Sequence, residues 1–247
     1  MKFRYERKYL VPNHQLSALR ERIQTFVRPD LFASDSKKDY PEYTVRSIYF
    51  DSPTLTSLLD KNEGIKERKK LRVRGYNKET KDSMVFLEIK RKLGNRIFKN
   101  RSLIPYKMLY KTLEFGLDDE LSKTLEKSKQ KEDAIKFLYQ KNRYFQTPVN
   151  LIVYDREPYH GKFDSGTRIT FDKNIRSKLN PSIDELFSNT NFNYVWKEHF
   201  ILEVKYYEPP MPLWARSIVH EFKLQSEALS KYVEGYYCHN LKTQTTF

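Results

Sequence analysis

Short segments in which apolar and polar residues alternate recur along the chain, with helical patterns between them. Side chains two residues apart in a strand share a face, so this alternation predicts strands with one apolar and one polar face. The predicted strands cover residues 2–11, 43–51, 69–76, 84–92, 96–104, 149–156, 167–172 and 194–207. Three of them, joined by short connections, form an antiparallel meander. An antiparallel sheet of about eight strands tends to curl or close, which favours an α+β fold: a closed eight-stranded antiparallel β-barrel with surrounding helices.

Helical patterns separate several of these strands. Asn13 is the predicted N-cap of the first helix, whose apolar residues recur at intervals of three and four. Ser52 and Pro53 suit the start of a short second helix. Gly116 is predicted to end one helix and Asp118 to begin the next. The later helical regions cover residues 105–145, 212–224 and 226–235.

The polar faces of at least five predicted strands carry basic side chains, and some of these strands also carry a glutamate. One such strand is typical of a half-solvated sheet, but the whole set favours a barrel whose charged faces line a shared interior. Like charges in that interior repel each other unless an anion neutralises them. A polyanion with metal ions would fill it, and the glutamates would be oxygen ligands of the metal. Alternation places on the charged faces Glu6, Lys8, Lys70, Arg72, Arg74, Glu88, Lys90, Lys92, Arg168, Glu203 and Lys205.

Composition also indicates an anionic partner and excludes several familiar classes of protein. The 247 residues include 46 Lys and Arg against 32 Asp and Glu, a formal net charge of +14. Such a charge favours nucleic acid, a membrane surface or phosphates as the partner. The single cysteine excludes a disulfide framework, and the glycine-rich nucleotide loops, H-E-x-x-H and G-x-S-x-G are absent. No apolar run is long enough to span a bilayer and the first residues lack an apolar signal core, so a cytoplasmic location is predicted.

Eight short motifs, in order along nearly the whole chain, resemble those of a known family. They are ERKYLV (6–11), VRSIYFD (45–51), LRVRGY (71–76), FLEIK (86–90), YDRE (154–157), RITFD (168–172), LEVKY (202–206) and SKY (230–232). Together they resemble the VTC domain, the polyphosphate polymerase domain named after the vacuolar transporter chaperone complex. That domain belongs to the triphosphate tunnel metalloenzyme, or CYTH-like, superfamily. One position departs from the wider superfamily: Arg4 stands where its E-x-E-x-K motif has the first glutamate, so one metal ligand is missing. This departure argues against adenylate cyclase or thiamine triphosphatase activity.

The resemblance implies a single domain over residues 1–247, in which eight antiparallel strands form a tunnel that binds triphosphate lengthwise. It also implies roles for individual residues. Catalytic contacts to phosphate are assigned to Lys8, Arg72, Arg74, Lys90, Arg156, Arg168 and Lys231. Further substrate-binding positions are Lys99, with Arg101 as its alternative, Tyr154, Lys205 and Ser230. The implied metal ligands are Glu203, Glu88 and Glu6, and the implied cofactor is Mn²⁺ or Mg²⁺.

The reaction implied by the resemblance moves the γ-phosphoryl group of a nucleoside triphosphate onto a growing inorganic polyphosphate chain. Two alternatives use the same residues: an inorganic triphosphatase, if water takes the place of the acceptor, and a polyphosphate sensor without catalysis. A nucleic-acid-binding protein is an alternative from another class, based on charge and aromatic content. No nucleic-acid-binding motif is visible, so nucleic acid is not the expected partner.

Overall fold

The computed structural model describes residues 5–33, 39–94, 96–125, 128–163, 166–207 and 209–239, so Arg4 lies outside the described residues. The strands are β1 Tyr5–Pro12, β2 Val27–Pro29, β3 Tyr43–Asp51, β4 Glu67–Tyr76, β5 Met84–Leu93, β6 Arg96–Pro105, β7 Thr147–Gly161, β8 Arg168–Leu179, β9 Asn193–Tyr194 and β10 His199–Tyr206. The helices are α1 Leu16–Ile23, α2 Thr56–Asn62, α3 Leu109–Phe115, α4 Asp119–Thr124, α5 Ser128–Arg143, α6 Leu213–Glu221 and α7 Lys231–Tyr237. Each predicted strand is present, and the last one is divided into β9 and β10.

Within the described ranges, every helix is too short or too polar to cross a bilayer.

Eight strands follow one another in a hydrogen-bonded order, β1-β10-β8-β7-β3-β4-β5-β6, with β2 beside β7 and β9 beside β8. The pairs β1–β10, β10–β8, β3–β4, β4–β5 and β5–β6 are antiparallel. The α+β class, the eight-stranded antiparallel sheet and the β4–β5–β6 meander are therefore confirmed.

The chain forms two compact units, each assembled from three stretches. The first unit comprises Met1–Thr44, Tyr154–Arg176 and Tyr194–Lys231. The second comprises Val45–Val153, Ser177–Asn193 and Tyr232–Phe247. A single domain over the whole chain stays a prediction.

The first unit has its own apolar core, built from alternate residues of its strands. Tyr9 and Val11 of β1, Phe171 of β8 and Leu202 of β10 are at most 3% exposed. The helices α1 and α6 add Leu19, Ile23, Ala215 and Ile218 to the same cluster. Because period-2 alternation buries these residues, their strand neighbours point to the other face of the sheet.

The second unit has a separate core of the same kind. Val85, Leu87 and Ile89 of β5 pack with Leu71 and Val73 of β4. The long helix α5 covers this apolar face, and its Phe137 meets Phe50 of β3 edge to face with ring centroids 6.0 Å apart. The predicted separation of apolar and charged strand faces is thus present in this unit.

The predicted closure of the barrel is wrong, because in the described part of the chain the path of paired strands ends at β1 and β6. Both end strands have outward backbone groups that bond within their own unit. The amides of Arg101 and Leu103 in β6 donate to side chains of α5, Asp133 Oδ2 at 3.0 Å and Gln130 Oε1 at 3.1 Å. The carbonyl of Lys8 in β1 accepts from the amide of Glu227 at 2.9 Å. These bonds satisfy groups that a closing strand pair would otherwise use.

Two of the predicted caps are also wrong. The side-chain amide of Asn13 donates to the carbonyl of Lys197 at 3.0 Å and caps no helix. The helix expected to begin directly after Ser52 begins at Thr56 instead. The Ser52 hydroxyl accepts from the amide of Thr56 at 3.1 Å, and the Asp51 carboxylate accepts from the next two amides, those of residues 57 and 58, at 2.9 and 3.0 Å. Aspartate is a strong N-cap acceptor, so it can anchor the helix from the end of β3. The predicted roles of Gly116 and Asp118 are confirmed.

Candidate functional site

The first unit contains a cluster of charged side chains on the sheet face opposite its core. We call it the Glu203 cluster, and it consists of Glu6, Lys8, Arg156, Asp172, Glu203, Lys205 and Lys231. Strand register brings most of it together, since Lys8 of β1 lies directly opposite Glu203 of β10 and Glu6 lies opposite Lys205. Paired residues of antiparallel strands point to the same face, so these four side chains share one surface.

Asp172 of β8 is fully buried and binds two cations of this cluster. Arg156 of β7 makes a two-pronged contact with it, Nε to Oδ1 and Nη2 to Oδ2, both at 2.7 Å. Lys231, the first residue of α7, places Nζ 2.6 Å from Oδ2. Burial would raise the pKa of Asp172, but Arg156 and Lys231 lower it below its ordinary value. The carboxylate is therefore ionised at neutral pH and positions both cations.

Glu203 is 5% exposed and faces four cations. Its Oε1 lies 3.5 Å from the Nζ of Lys231 and 3.8 Å from that of Lys8, and its Oε2 lies 3.4 Å from the Nη2 of Arg156. Lys205 also bonds Oε2. Burial would raise the pKa of Glu203, but Lys205 and Lys231 lower it well below its usual range. For Lys205 the effect of burial has the opposite sign: it lowers the pKa of the ammonium. The attraction of Glu203 offsets this decrease only in part.

The predicted aromatic member of the site lies against this cluster. Tyr154 is 3% exposed, and its ring centroid is 5.2 Å from the Arg156 guanidinium carbon and 4.9 Å from the Lys231 Nζ. Cations over an aromatic face are attracted to its electron density. Ser230 immediately precedes Lys231 in the chain, and the Lys8 ammonium donates to the carbonyl of Leu229 at 3.0 Å. The chain leading into α7 is thereby tied to β1.

Arg168 contacts a different set of residues. Its backbone pairs with Lys205, which puts it on the charged face. Its Nη2 nevertheless donates to Asp30 Oδ2 at 2.8 Å and to the hydroxyl of Tyr43 at 3.4 Å. Asp30 is buried and lies 3.3 Å from His160 Nε2. Alternation correctly gives the face of Arg168 but cannot show that an acidic residue from a distant loop holds the guanidinium.

The second unit contains a second charged cluster, on the β4–β5–β6 face opposite its core. We call it the Glu88 cluster, and it consists of Ser47, Tyr49, Arg72, Arg74, Glu88, Lys90, Lys99 and Arg101. Arg72, Glu88 and Arg101 are directly opposite one another on the three strands. Lys99 and Arg101 are two residues apart in β6, so both side chains lie on the charged face. They are therefore not alternatives to each other.

Glu88 is completely buried and holds two arginines. Arg72 Nη2 bonds Oε1, and Arg101 Nε donates to Oε2 at 2.7 Å. Burial would raise the pKa of Glu88, but Arg72 and Arg74 lower it far below its ordinary value. Charge-assisted bonds of this kind fix the plane of a guanidinium. Glu88 therefore positions the arginines, and its predicted role as a metal ligand stays a prediction.

Strand β3 supplies two neutral partners for the same arginines. Tyr49 lies opposite Arg72 and accepts a bond from its Nη1 at 2.8 Å, while Ser47 lies opposite Arg74 and accepts from its Nε at 3.1 Å. Burial would raise the pKa of Tyr49, but Arg72 and Arg74 lower it below its usual value. The phenol is thus held in a strongly positive environment.

Lys90 and Lys99 lie directly opposite each other in β5 and β6. Lys99 is exposed as a residue, but burial around its ammonium lowers its pKa to about 6, against the attraction of Glu88. Repulsion from Arg72 and Lys90 lowers it further. Both effects disfavour the charged form of Lys99.

The Glu203 cluster offers hard oxygen atoms to a metal but no ready-made metal site. Glu6, Asp172 and Glu203 are the kind of ligand that Mg²⁺ and Mn²⁺ prefer, yet each is in contact with an ammonium or a guanidinium. Among the described residues there is no group of three or more His, Cys, Asp or Glu side chains arranged to hold a metal ion. These residues fit an ion that arrives with phosphates and takes one or two carboxylates, as Mg²⁺ often does.

Sequence reasoning missed three residues of the clusters, Asp172, Tyr49 and Ser47. Asp172 has the same strand parity as Arg168, so alternation could have placed it on the charged face. Tyr49 and Ser47 alternate with the buried residues Ile48 and Phe50, which is the same signal. Their contacts were not visible in the sequence because the partners come from other strands.

Comparison with known proteins gives a family match and similar folds. A family model described as VTC domain matches residues 3–240. The fold is similar to that of a putative adenylate cyclase from Bacillus halodurans, with a TM-score of 0.51, 12% identity, and coverage of 93% of this chain and 94% of that one. The PH1819 protein from Pyrococcus horikoshii has a TM-score of 0.46 and 15% identity, with 98% of this chain and 100% of that one covered. Among curated proteins, none matches significantly.

Proposed function

Because this chain belongs to the VTC domain family and is thus a triphosphate-tunnel protein, we propose that it transfers the γ-phosphoryl group of ATP to inorganic polyphosphate. One observation carries the proposal: among the described residues, strand register brings five basic side chains onto the charged face of the Glu88 cluster. They are Arg72, Arg74, Lys90, Lys99 and Arg101. Phosphate oxygens would accept hydrogen bonds from these donors.

Phosphoryl transfer suits these residues, because it depends mainly on positioning and electrostatic stabilisation. Arg72 and Arg101, held in place by Glu88, can each present a planar face of donors to phosphate oxygens. In the Glu203 cluster of the first unit, Lys8 and Lys231 are point charges that suit phosphate oxygens. Burial would lower the pKa of both lysines, but neighbouring carboxylates outweigh burial and raise it. The attacking group is a terminal phosphate oxygen that is already anionic, so the reaction needs no strong general base.

The metal requirement is part of the proposal. Glu203 and Glu6 are the residues that would hold Mg²⁺ or Mn²⁺ brought in by the nucleotide. Such an ion would neutralise charge on the transferred phosphoryl group. Asp172 keeps Arg156 and Lys231 oriented, which is a role in positioning.

The test is incubation of the purified protein with ATP and Mn²⁺, followed by separation of the products on a gel. Long-chain polyphosphate is the expected product, and an Arg72→Gln variant should reduce it at least tenfold, the effect of losing a charged hydrogen bond. Arg91→Gln is the matched control, because Arg91 is exposed on the other face of β5. If inorganic phosphate is the only product, the activity is hydrolysis and not polymerisation. If the protein binds polyphosphate tightly but shows no turnover, it is a polyphosphate sensor and not an enzyme.

A further inference from the structure

Two of the sequence motifs end in residues that belong to neither charged cluster. Asp51 is the last residue of VRSIYFD (45–51), and Tyr232 is the last residue of SKY (230–232). In the second unit these two residues meet: the Tyr232 hydroxyl donates to Asp51 Oδ2 at 2.6 Å, and both residues are at most 2% exposed. A short, buried hydrogen bond to a carboxylate is a strong one, so it fixes the direction of the phenol.

The Asp51 carboxylate is itself held by the backbone around the start of α2. Its Oδ1 accepts from the amides of Ser52 and Ser57, both at 2.9 Å, and its Oδ2 accepts from the amide of Leu58 at 3.0 Å. Burial and the neighbouring Asp51 both raise the pKa of Tyr232 above its ordinary value. The phenol therefore stays protonated and keeps donating to a carboxylate that cannot turn away from it.

The backbone of Tyr232 is fixed as well. Its carbonyl accepts from the side-chain amide of the fully buried Asn150 of β7 at 3.0 Å. Three residues later, Gly235 packs so closely on the same strand that an added Cβ would lie 2.3 Å from Cδ1 of Ile152. Because residues three apart share a helix face, this close approach holds the face of α7 that carries Tyr232 against the sheet.

The ring of Tyr232 reaches the Glu88 cluster. It stacks on the Tyr49 ring, with centroids 5.1 Å apart and planes inclined by 27°. The Nζ of Lys70, two residues before Arg72 in β4, lies 5.0 Å from the centroid of the same ring. Tyr49 in turn accepts a hydrogen bond from Arg72 at 2.8 Å. The place of the Tyr49 hydroxyl, and with it the direction of the Arg72 guanidinium, thus depends on Tyr232.

We infer that Tyr232, oriented by Asp51, is a positioning residue of the Glu88 cluster and acts through Tyr49. This inference rests on the proposed function. A displaced Tyr49 ring would move the oxygen that holds Arg72 Nη1, and a guanidinium binds phosphate best when its plane of donors is fixed in advance. Tyr232 is buried beneath Tyr49 and exerts this effect without touching the ligand. A bond with a purely structural role would contribute to stability and leave the affinity for phosphates unchanged.

The experiment measures the binding of tripolyphosphate to the full chain by titration calorimetry, together with the melting temperature. Tyr232→Phe removes only the hydroxyl, and we expect it to raise the dissociation constant about 2- to 10-fold, the range for losing one hydrogen bond. Tyr159→Phe is the matched control, because it also removes a 2.6 Å bond from a buried tyrosine to a buried carboxylate, that of Glu157, outside both clusters. Both variants should melt below wild type, but the control should bind tripolyphosphate as wild type does.

A double-mutant cycle separates positioning through Tyr49 from a general loosening of the fold. In Tyr49→Phe the hydroxyl that Tyr232 positions is already gone, so adding Tyr232→Phe should change the dissociation constant by less than about twofold. Asp51→Asn keeps an oxygen acceptor for the phenol and the helix amides but removes the charge. It should weaken binding in the same direction, and it provides the same comparison with Tyr159→Phe if Tyr232→Phe does not fold.

Two results would overturn the inference. One is an equal dissociation constant for Tyr232→Phe and Tyr159→Phe, which would mean that the bond to Asp51 is only structural. The other is a double variant in which the effects of Tyr232→Phe and Tyr49→Phe multiply, which would mean that Tyr232 does not act through Tyr49. If wild type binds tripolyphosphate and either result is found, this inference fails alone. If wild type does not bind tripolyphosphate, the proposed function fails as well.

Discussion

The two charged clusters are built from the same residue types in different proportions. The Glu203 cluster sets three carboxylates against four cations, whereas the Glu88 cluster sets one carboxylate against five. In the first, nearly every charge has an opposite charge within 4 Å. In the second, burial of its ammonium lowers the pKa of Lys99 to about 6, and repulsion from Arg72 and Lys90 lowers it further. The charges of the Glu203 cluster are thus mostly paired with one another, whereas we propose that the basic side chains of the Glu88 cluster bind an anionic ligand.

The largest effect expected from this comparison is on stability in the Glu203 cluster. Asp172→Asn leaves the half-buried Arg156 and Lys231 without their main carboxylate, which should lower the free energy of unfolding by about 3–5 kcal/mol. Urea denaturation measures this loss. The control is Asp155→Asn, because Asp155 accepts its hydrogen bonds from the neutral Thr44 and Asn174 and has only a 3.7 Å contact with the cationic Arg176. Equal losses of unfolding free energy in the two variants would contradict this role of Asp172.

A smaller effect is expected in the Glu88 cluster, and a ligand should reverse it. Glu88→Gln leaves Arg72 and the partly exposed Arg101 without a counter-charge, which should cost about 1–3 kcal/mol. Tripolyphosphate can replace that charge, so its stabilising effect on the melting temperature should be larger in this variant than in wild type. Asp172→Asn should show no such rescue. Rescue of both variants, or of neither, contradicts the assignment of different roles.

Loss of the Tyr49 hydroxyl should weaken binding moderately. In wild type this hydroxyl accepts from Arg72, and among the described residues its own hydrogen meets no acceptor, which leaves it available to a phosphate oxygen. Tyr49→Phe should therefore raise the dissociation constant of tripolyphosphate about 2- to 10-fold, as one hydrogen bond allows. Tyr159→Phe is the control: that hydroxyl donates to Glu157, outside both clusters, so binding should not change.

The smallest effect concerns the pH dependence of stability, because Lys99 is exposed and solvent screens much of its interaction with the charged neighbours. The pKa of Lys99 is lowered from 10.5 in the unfolded chain to about 6 in the folded one, so between these values the unfolded state binds more protons. Stability then rises with pH above about 6, and the penalty for a charged Lys99 is fully present below that pH. Lys99→Met should flatten the rise between pH 6 and 8 in unfolding experiments. An unchanged slope would mean that the Glu88 cluster has no excess charge at this position.

Much of this arrangement could be predicted from alternation alone. The faces of Arg72, Glu88 and Glu203 follow from strand parity, because burying Leu71, Leu87 and Leu202 forces their neighbours to the other side. Closure of the barrel could not be predicted, since it depends on whether strand edges find other partners. The partners of Arg168 and Arg72, Asp30 and Tyr49, depend on which distant segments meet, which period-2 patterns do not encode.

We propose that a triphosphate binds to the arginines and lysines of the Glu88 cluster. Calorimetric titration of tripolyphosphate into wild type, Arg72→Gln and Arg91→Gln tests it most directly. We expect wild type and Arg91→Gln to bind equally well and Arg72→Gln to bind at least tenfold more weakly. Equal binding by all three proteins would contradict the account.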